Sequence, residues 1–95
     1  MNDLPIHEEW TSRLVPSHHR DDVFYRVVYG TVDWERNGDL QKAVFIFMQV
    51  GNEPDWNKAK AKGQIIFRMT PHILDLDLTT VLEAIRVVSE EGGYR

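Results

Sequence analysis

The pair Asn37-Gly38 does more than any other two residues to limit what this chain can fold into. It sits in "ERNGD", between "DVFYRVVYGTVDW" and "LQKAVFIFMQVG", two runs rich in Val, Tyr, Phe and Ile. Asn-Gly is the preferred central pair of a two-residue hairpin turn, because both positions need positive φ. The flanking runs have the β-branched and aromatic content of strands. An antiparallel hairpin over residues 22–35 and 40–51 is therefore expected. A two-residue turn sets Arg36 opposite Asp39 and Asp33 opposite Lys42, a favourable cross-strand charge pair. In that register Tyr29 faces Ile46 and Val27 faces Met48 on one side, while Val28 faces Phe47 and Arg26 faces Gln49 on the other.

The arms are apolar on both faces, so each face needs a cover. Residues 78–91 supply one. Leu78, Val81, Leu82, Ile85 and Val88 recur at helical spacing. Asp77 or Thr79 is placed as N-cap, Thr80 and Glu83 fit a capping box, and Gly92 is placed as C-cap. This helix is expected to lie on the face carrying Tyr25, Val27, Tyr29, Val44, Ile46 and Met48, the more continuously apolar of the two.

Other elements are shorter. Residues 3–14 read as a helix, with Asp3 as cap, Pro5 in the first turn and a stripe of Ile6, Trp10 and Leu14 at intervals of four. Val15-Pro16 ends it. "NEPDWNKAKAK" (52–62) is a polar connection in which Asp55 can cap a single helical turn. "GQIIFRMT" (63–70) reads as a third strand closed by Pro71. The expectation is one α+β domain over residues 1–95, in the order α-β-β-β-α, with a three- or four-stranded antiparallel sheet and the C-terminal helix packed on one face.

The second face is the functional candidate. It carries Phe24, Arg26, Val28, Trp34, Phe45, Phe47 and Gln49, and one helix cannot cover both faces. A free apolar patch of that size is an interaction surface. Three covers are open: the first helix with the 52–62 connection, a second copy of the chain, or a ligand or different protein partner. The leading expectation is a small non-enzymatic cytoplasmic protein that works through protein–protein association, as a homodimer through this face. The alternative is a ligand-binding or enzymatic domain with an aromatic pocket, where Arg26 and Arg68 contact an anionic ligand.

Composition narrows the classes further. With 15 acidic against 11 Lys and Arg residues the net charge is −4, the wrong sign for a general nucleic-acid binder. The lysines at 58, 60 and 62 are the one basic cluster. Double-stranded RNA-binding domains share the expected element order, but here the last helix starts at "HILDLDLTT", where Asp75 and Asp77 would repel phosphates. The absence of cysteine rules out disulfide and thiolate chemistry and suits a reducing compartment. No signal peptide and no membrane-spanning run are expected.

No metal or cofactor is expected. His18 and His19 are neighbours beside Asp21 and Asp22, but adjacent residues in extended chain point opposite ways. His72, ahead of Asp75 and Asp77, is the tempting acid–base candidate; its ordinary reading is a loop histidine near two helix-cap carboxylates. Ser12, Ser17 and Ser89 lack a nucleophile-elbow context.

Overall fold

The computed structural model describes residues 6–33, 35–68 and 70–93, and the side chains of 11–33, 35–68 and 70–92. Four strands form one antiparallel sheet in sequence order: β1 (Ile6–Pro16), β2 (Val23–Val32), β3 (Gln41–Val50) and β4 (Ile65–Ile66). A short helix, α1 (Trp56–Ala61), lies between β3 and β4. A 3-10 turn at Asp75–Asp77 runs into the long helix α2 (Leu78–Gly93). The α+β class, the antiparallel sheet and the C-terminal helix packed on it hold; the leading helix does not.

Residues 6–16 are instead an edge strand, paired with β2 from Ile6↔Val32 to Pro16↔Phe24. The expected cap Asp3, the first-turn Pro5, and the side chains of Ile6 and Trp10 lie outside what is described. The correction has a simple source. A spacing of four is also a multiple of two, so Ile6, Trp10 and Leu14 satisfy a strand as well as a helix. The stretch Thr11–Val15 then alternates: Thr11, Arg13 and Val15 oppose Tyr29, Val27 and Tyr25, while Ser12 and Leu14 oppose Val28 and Arg26. Register shifts between Ile6 and Glu8 and between Glu9 and Thr11 break the alternation further out, as β-bulges do.

The hairpin forms with a wider turn than expected. Pairing between β2 and β3 begins at Val32↔Gln41, so residues 33–40 make the connection. The Asp33 carboxylate takes the amides of Asn37 (3.0 Å) and Gly38 (2.9 Å), and Asn37 Oδ1 takes the Asp39 amide (3.0 Å). An aspartate that caps its own turn competes with ladder pairing, which opens the loop. The positive φ angles fall on Arg36 (56°) and Gly38 (92°). Lys42 accordingly pairs with Thr31, Val44 with Tyr29, Ile46 with Val27, Phe45 with Val28 and Phe47 with Arg26. This is a displacement of two residues from the expected register. An even displacement keeps every side chain on its expected face.

The third expected strand shortens to β4, whose Ile65 and Ile66 pair with Gln49 and Met48. It extends the sheet beyond β3. Met69 lies outside the described residues.

Two cores sit on the two faces. On one, Val15, Tyr25, Val27, Tyr29 and Met48 pack against Val81, Ala84 and Val88 of α2. Gly92 is not a C-cap, because α2 runs on through Gly93. A Cβ there would come within 2.5 Å of Tyr29 Cδ1, so the glycine lets the end of α2 close on the Tyr29 ring. On the other face, Trp56 and Ala59 of α1 cover Val28, Phe47 and Ile65. Asp55 caps α1, its carboxylate taking the Lys58 amide at 2.8 Å.

Candidate functional site

Every residue named for the second face except Trp34 now has a place. Phe47 is the hub of an aromatic cluster, with ring centroids 5.5 Å from Trp56, 5.4 Å from Phe67 and 6.1 Å from Phe45. Val28 lies beneath it, fully buried. Phe24 and Phe45 are half-buried at the two ends of the face. Trp34 lies outside the described residues. The aromatic wall is therefore filled largely from within, by α1 and Phe67.

Arg26 is 1% exposed and faces the same side. Its Nε donates to Gln49 Oε1 (3.0 Å), Nη1 to Ser12 Oγ (3.0 Å) and to the Pro54 carbonyl (2.7 Å), and Nη2 to the Glu53 carbonyl. Gln49, also fully buried, donates from Nε2 to the carbonyls of Gly51 (3.0 Å) and Glu53 (3.0 Å). Together they fasten the 51–54 loop, and hence the start of α1, to the sheet. Arg68 is exposed, past the end of β4. The two arginines do not converge: one is committed to interior oxygens and the other is in solvent.

The histidines do converge, on the other side of the sheet. His18 and His19 lie in a turn rather than extended chain, and they reach different partners. His18 donates its amide to Asp77 Oδ2 (3.0 Å), and its Nδ1 meets Asp77 Oδ1. Tyr25 donates its hydroxyl to Asp77 Oδ2 (2.7 Å) and accepts the Leu74 amide (3.0 Å). Asp77 is only 2% exposed. Burial pushes its carboxyl up, but the hydrogen bonds from the His18 amide, the His18 ring and Tyr25 outweigh burial and hold it down at about 2. Burial pushes the Tyr25 hydroxyl up; the Leu74 amide opposes this and the Asp77 carboxylate adds to it. Asp77 thus spends its carboxylate across the fold, latching the β1–β2 turn to the start of α2.

His19 turns the other way. Its Nδ1 meets Ser17 Oγ, and its Nε2 lies 3.0 Å from Nε2 of His72, with the rings edge to face. This pair sits at the mouth of a groove of about 260 Å³, with Arg20 beside it and Val23, Met48, Val50 and Ile66 as walls. Sequence reading singled out His18-His19 and His72 but could not join them, because 53 residues separate His19 from His72. No group of three or more His, Cys, Asp or Glu side chains suited to a metal occurs among the described residues.

Exposed large apolar side chains among the described residues gather near α2, apart from Leu40 in the hairpin connection. This helix lies over β1 and β2 and barely reaches β3. Its β1 flank is identified by Glu91, whose carboxylate accepts from Thr11 Oγ1 (2.7 Å) and pairs with Arg13. At 100° per residue Leu78, Leu82, Ile85 and Ser89 fall on the opposite flank, toward β3. Leu78 is 42% exposed, Leu82 55% and the neighbouring Leu76 74%. On β3, Val44 is also exposed, with Ile46 half-buried beside it.

No family model matches the chain, and no curated protein or solved structure matches it. Among the described residues no helix is long and apolar enough to cross a membrane.

Proposed function

We propose that this protein acts through association with another protein chain, first of all with a second copy of itself, and that it is not an enzyme. The observation that carries this is the exposure of Leu78 and Leu82 on the β3 flank of α2, with Leu76 exposed just before the helix and Val44 exposed on β3. Surface leucines scattered singly need no explanation, but leucines 76, 78 and 82, all exposed within two helical turns, do. A two-fold dimer places the same patch on both copies, so each α2 flank covers the other copy's open β3. The same proposal sets the protein in the cytoplasm, where a chain with no cysteine has no disulfide to lose.

The half-buried Phe24 and Phe45 make the opposite sheet face the competing surface. Sedimentation at increasing concentration decides. The wild type should approach twice 11.1 kDa, and Leu82→Asp should return it to monomer with its circular dichroism unchanged. If Phe45→Glu separates the copies and Leu82→Asp does not, the interface is the second sheet face. A wild type that stays monomeric at several hundred micromolar refutes self-association.

A further inference from the structure

The groove between the β1–β2 turn and the 70–74 segment has a composition that the association reading does not use. Its walls are Val23, Met48, Val50 and Ile66, all aliphatic or thioether. Its other lining residues are His19, Arg20 and His72: two imidazoles and a guanidinium, with no carboxylate among them. Two of these polar groups meet, the His19 and His72 Nε2 atoms lying 3.0 Å apart. Ser17 holds His19 from behind through Nδ1, which fixes the ring's direction.

We propose that this groove binds a small monocarboxylate with a compact apolar body. The body lies along Val23, Met48, Val50 and Ile66, and the carboxylate enters between His72 and Arg20. Pockets for drug-sized ligands run to about 300–1,000 Å³, so a space near the low end suits a molecule of roughly ten non-hydrogen atoms. The two imidazoles and the guanidinium offer nitrogen donors of the kind that recognise a planar anion. Arg20 already holds a carboxylate in this way: its Nε donates to Asp22 Oδ1 at 2.6 Å and its Nη2 to Asp22 Oδ2 at 3.2 Å. That pair is solvent-exposed on both sides, so its partners exchange at little cost. His72 is exposed and moves toward a ligand without disturbing a core.

The probes are octanoate, octan-1-ol and octylamine, titrated calorimetrically into the full chain. Octanoate should bind saturably, octanol at least tenfold more weakly, and octylamine not at all. His72→Gln and Arg20→Gln change exposed residues and should leave the fold intact; each should weaken octanoate about tenfold, the worth of one charge-assisted hydrogen bond. Binding of octanol as tight as that of octanoate overturns the proposal. So does wild-type affinity in both variants, and so does the lack of saturable octanoate binding at millimolar concentration.

Discussion

Replacing Arg26 with methionine tests the reading of the second face most directly. The guanidinium is buried and serves Gln49, Ser12 and the carbonyls of Glu53 and Pro54. Methionine fills much of the same volume and removes every donor. Gln49 keeps its bonds through Nε2, and Ser12 lies on an edge strand where its hydroxyl can turn. The two loop carbonyls and the buried Gln49 Oε1 are the groups left stranded, at about 1–3 kcal/mol for each buried orphan. Relief of the buried charge offsets part of this. A net loss of about 3 kcal/mol is expected. For a domain of this size that corresponds to a fall of roughly 12–24 °C in Tm, against a total stability of about 5–14 kcal/mol. Urea unfolding monitored by tryptophan fluorescence measures it, because Trp56 sits on the loop being released. Arg68→Met is the control and should stay within about 0.5 kcal/mol, as exposed substitutions do. Gln49→Leu combined with Arg26→Met should show at least about 1 kcal/mol of coupling. If Arg26→Met costs less than about 1 kcal/mol, or no more than Arg68→Met, then Arg26 is not the fastening described.

Three further outcomes follow from single features. Gly51 has φ of 116° and its missing Cβ would lie 2.4 Å from Gln64 Cδ, so Gly51→Ala should cost about 2 kcal/mol or more in denaturant titration. Gly92→Ala should cost about 1–3 kcal/mol by driving a methyl into the Tyr29 ring, the opposite of alanine's usual benefit in a helix. Asp77 has its carboxyl lowered from 3.8 to about 2 in the folded chain. Its contribution is therefore present in full above about pH 4 and lost as the pH falls toward 2. Asp77→Asn should flatten the acid-unfolding profile across that window; an unchanged profile would show that the latch with His18 and Tyr25 contributes nothing there.

What the sequence made legible was mostly parity and amphipathicity. The helix over the C-terminal stripe, its choice of sheet face and the face assignment of β2 and β3 depend on periods of 3.6 and 2, and those survive a register error of two. The turn was harder, because Asn37-Gly38 favours a two-residue loop while Asp33, four residues ahead of Asn37, favours its own capped turn. The leading strand is ambiguous in sequence because a spacing of four over only two intervals is shared by helix and strand, and what decides between them is an edge on β2 wanting a partner. Gly92 has the residue type of a helix stop, and only the approach of Tyr29 shows another role. The site was least legible. Nothing local distinguishes a buried arginine that fastens a loop from one that awaits an anion, and the His19–His72 meeting is a product of tertiary structure alone.

The sequential order of the sheet carries a consequence for biosynthesis. The core beneath α1 is complete in chain terms once Ile65–Phe67 has been made, since Val28, Phe47, Trp56 and Ala59 all precede it. The other core needs Val81, Ala84 and Val88, and α2 runs to Gly93. At 5–20 residues per second, the ribosome takes between about 1 and 5 s to cover the interval. During it Tyr25, Val27 and Met48 form an unroofed hydrophobic sheet face on a nascent chain. In that interval the chain exposes apolar surface that the finished fold buries, and a synonymous slow codon between residues 67 and 93 would lengthen it.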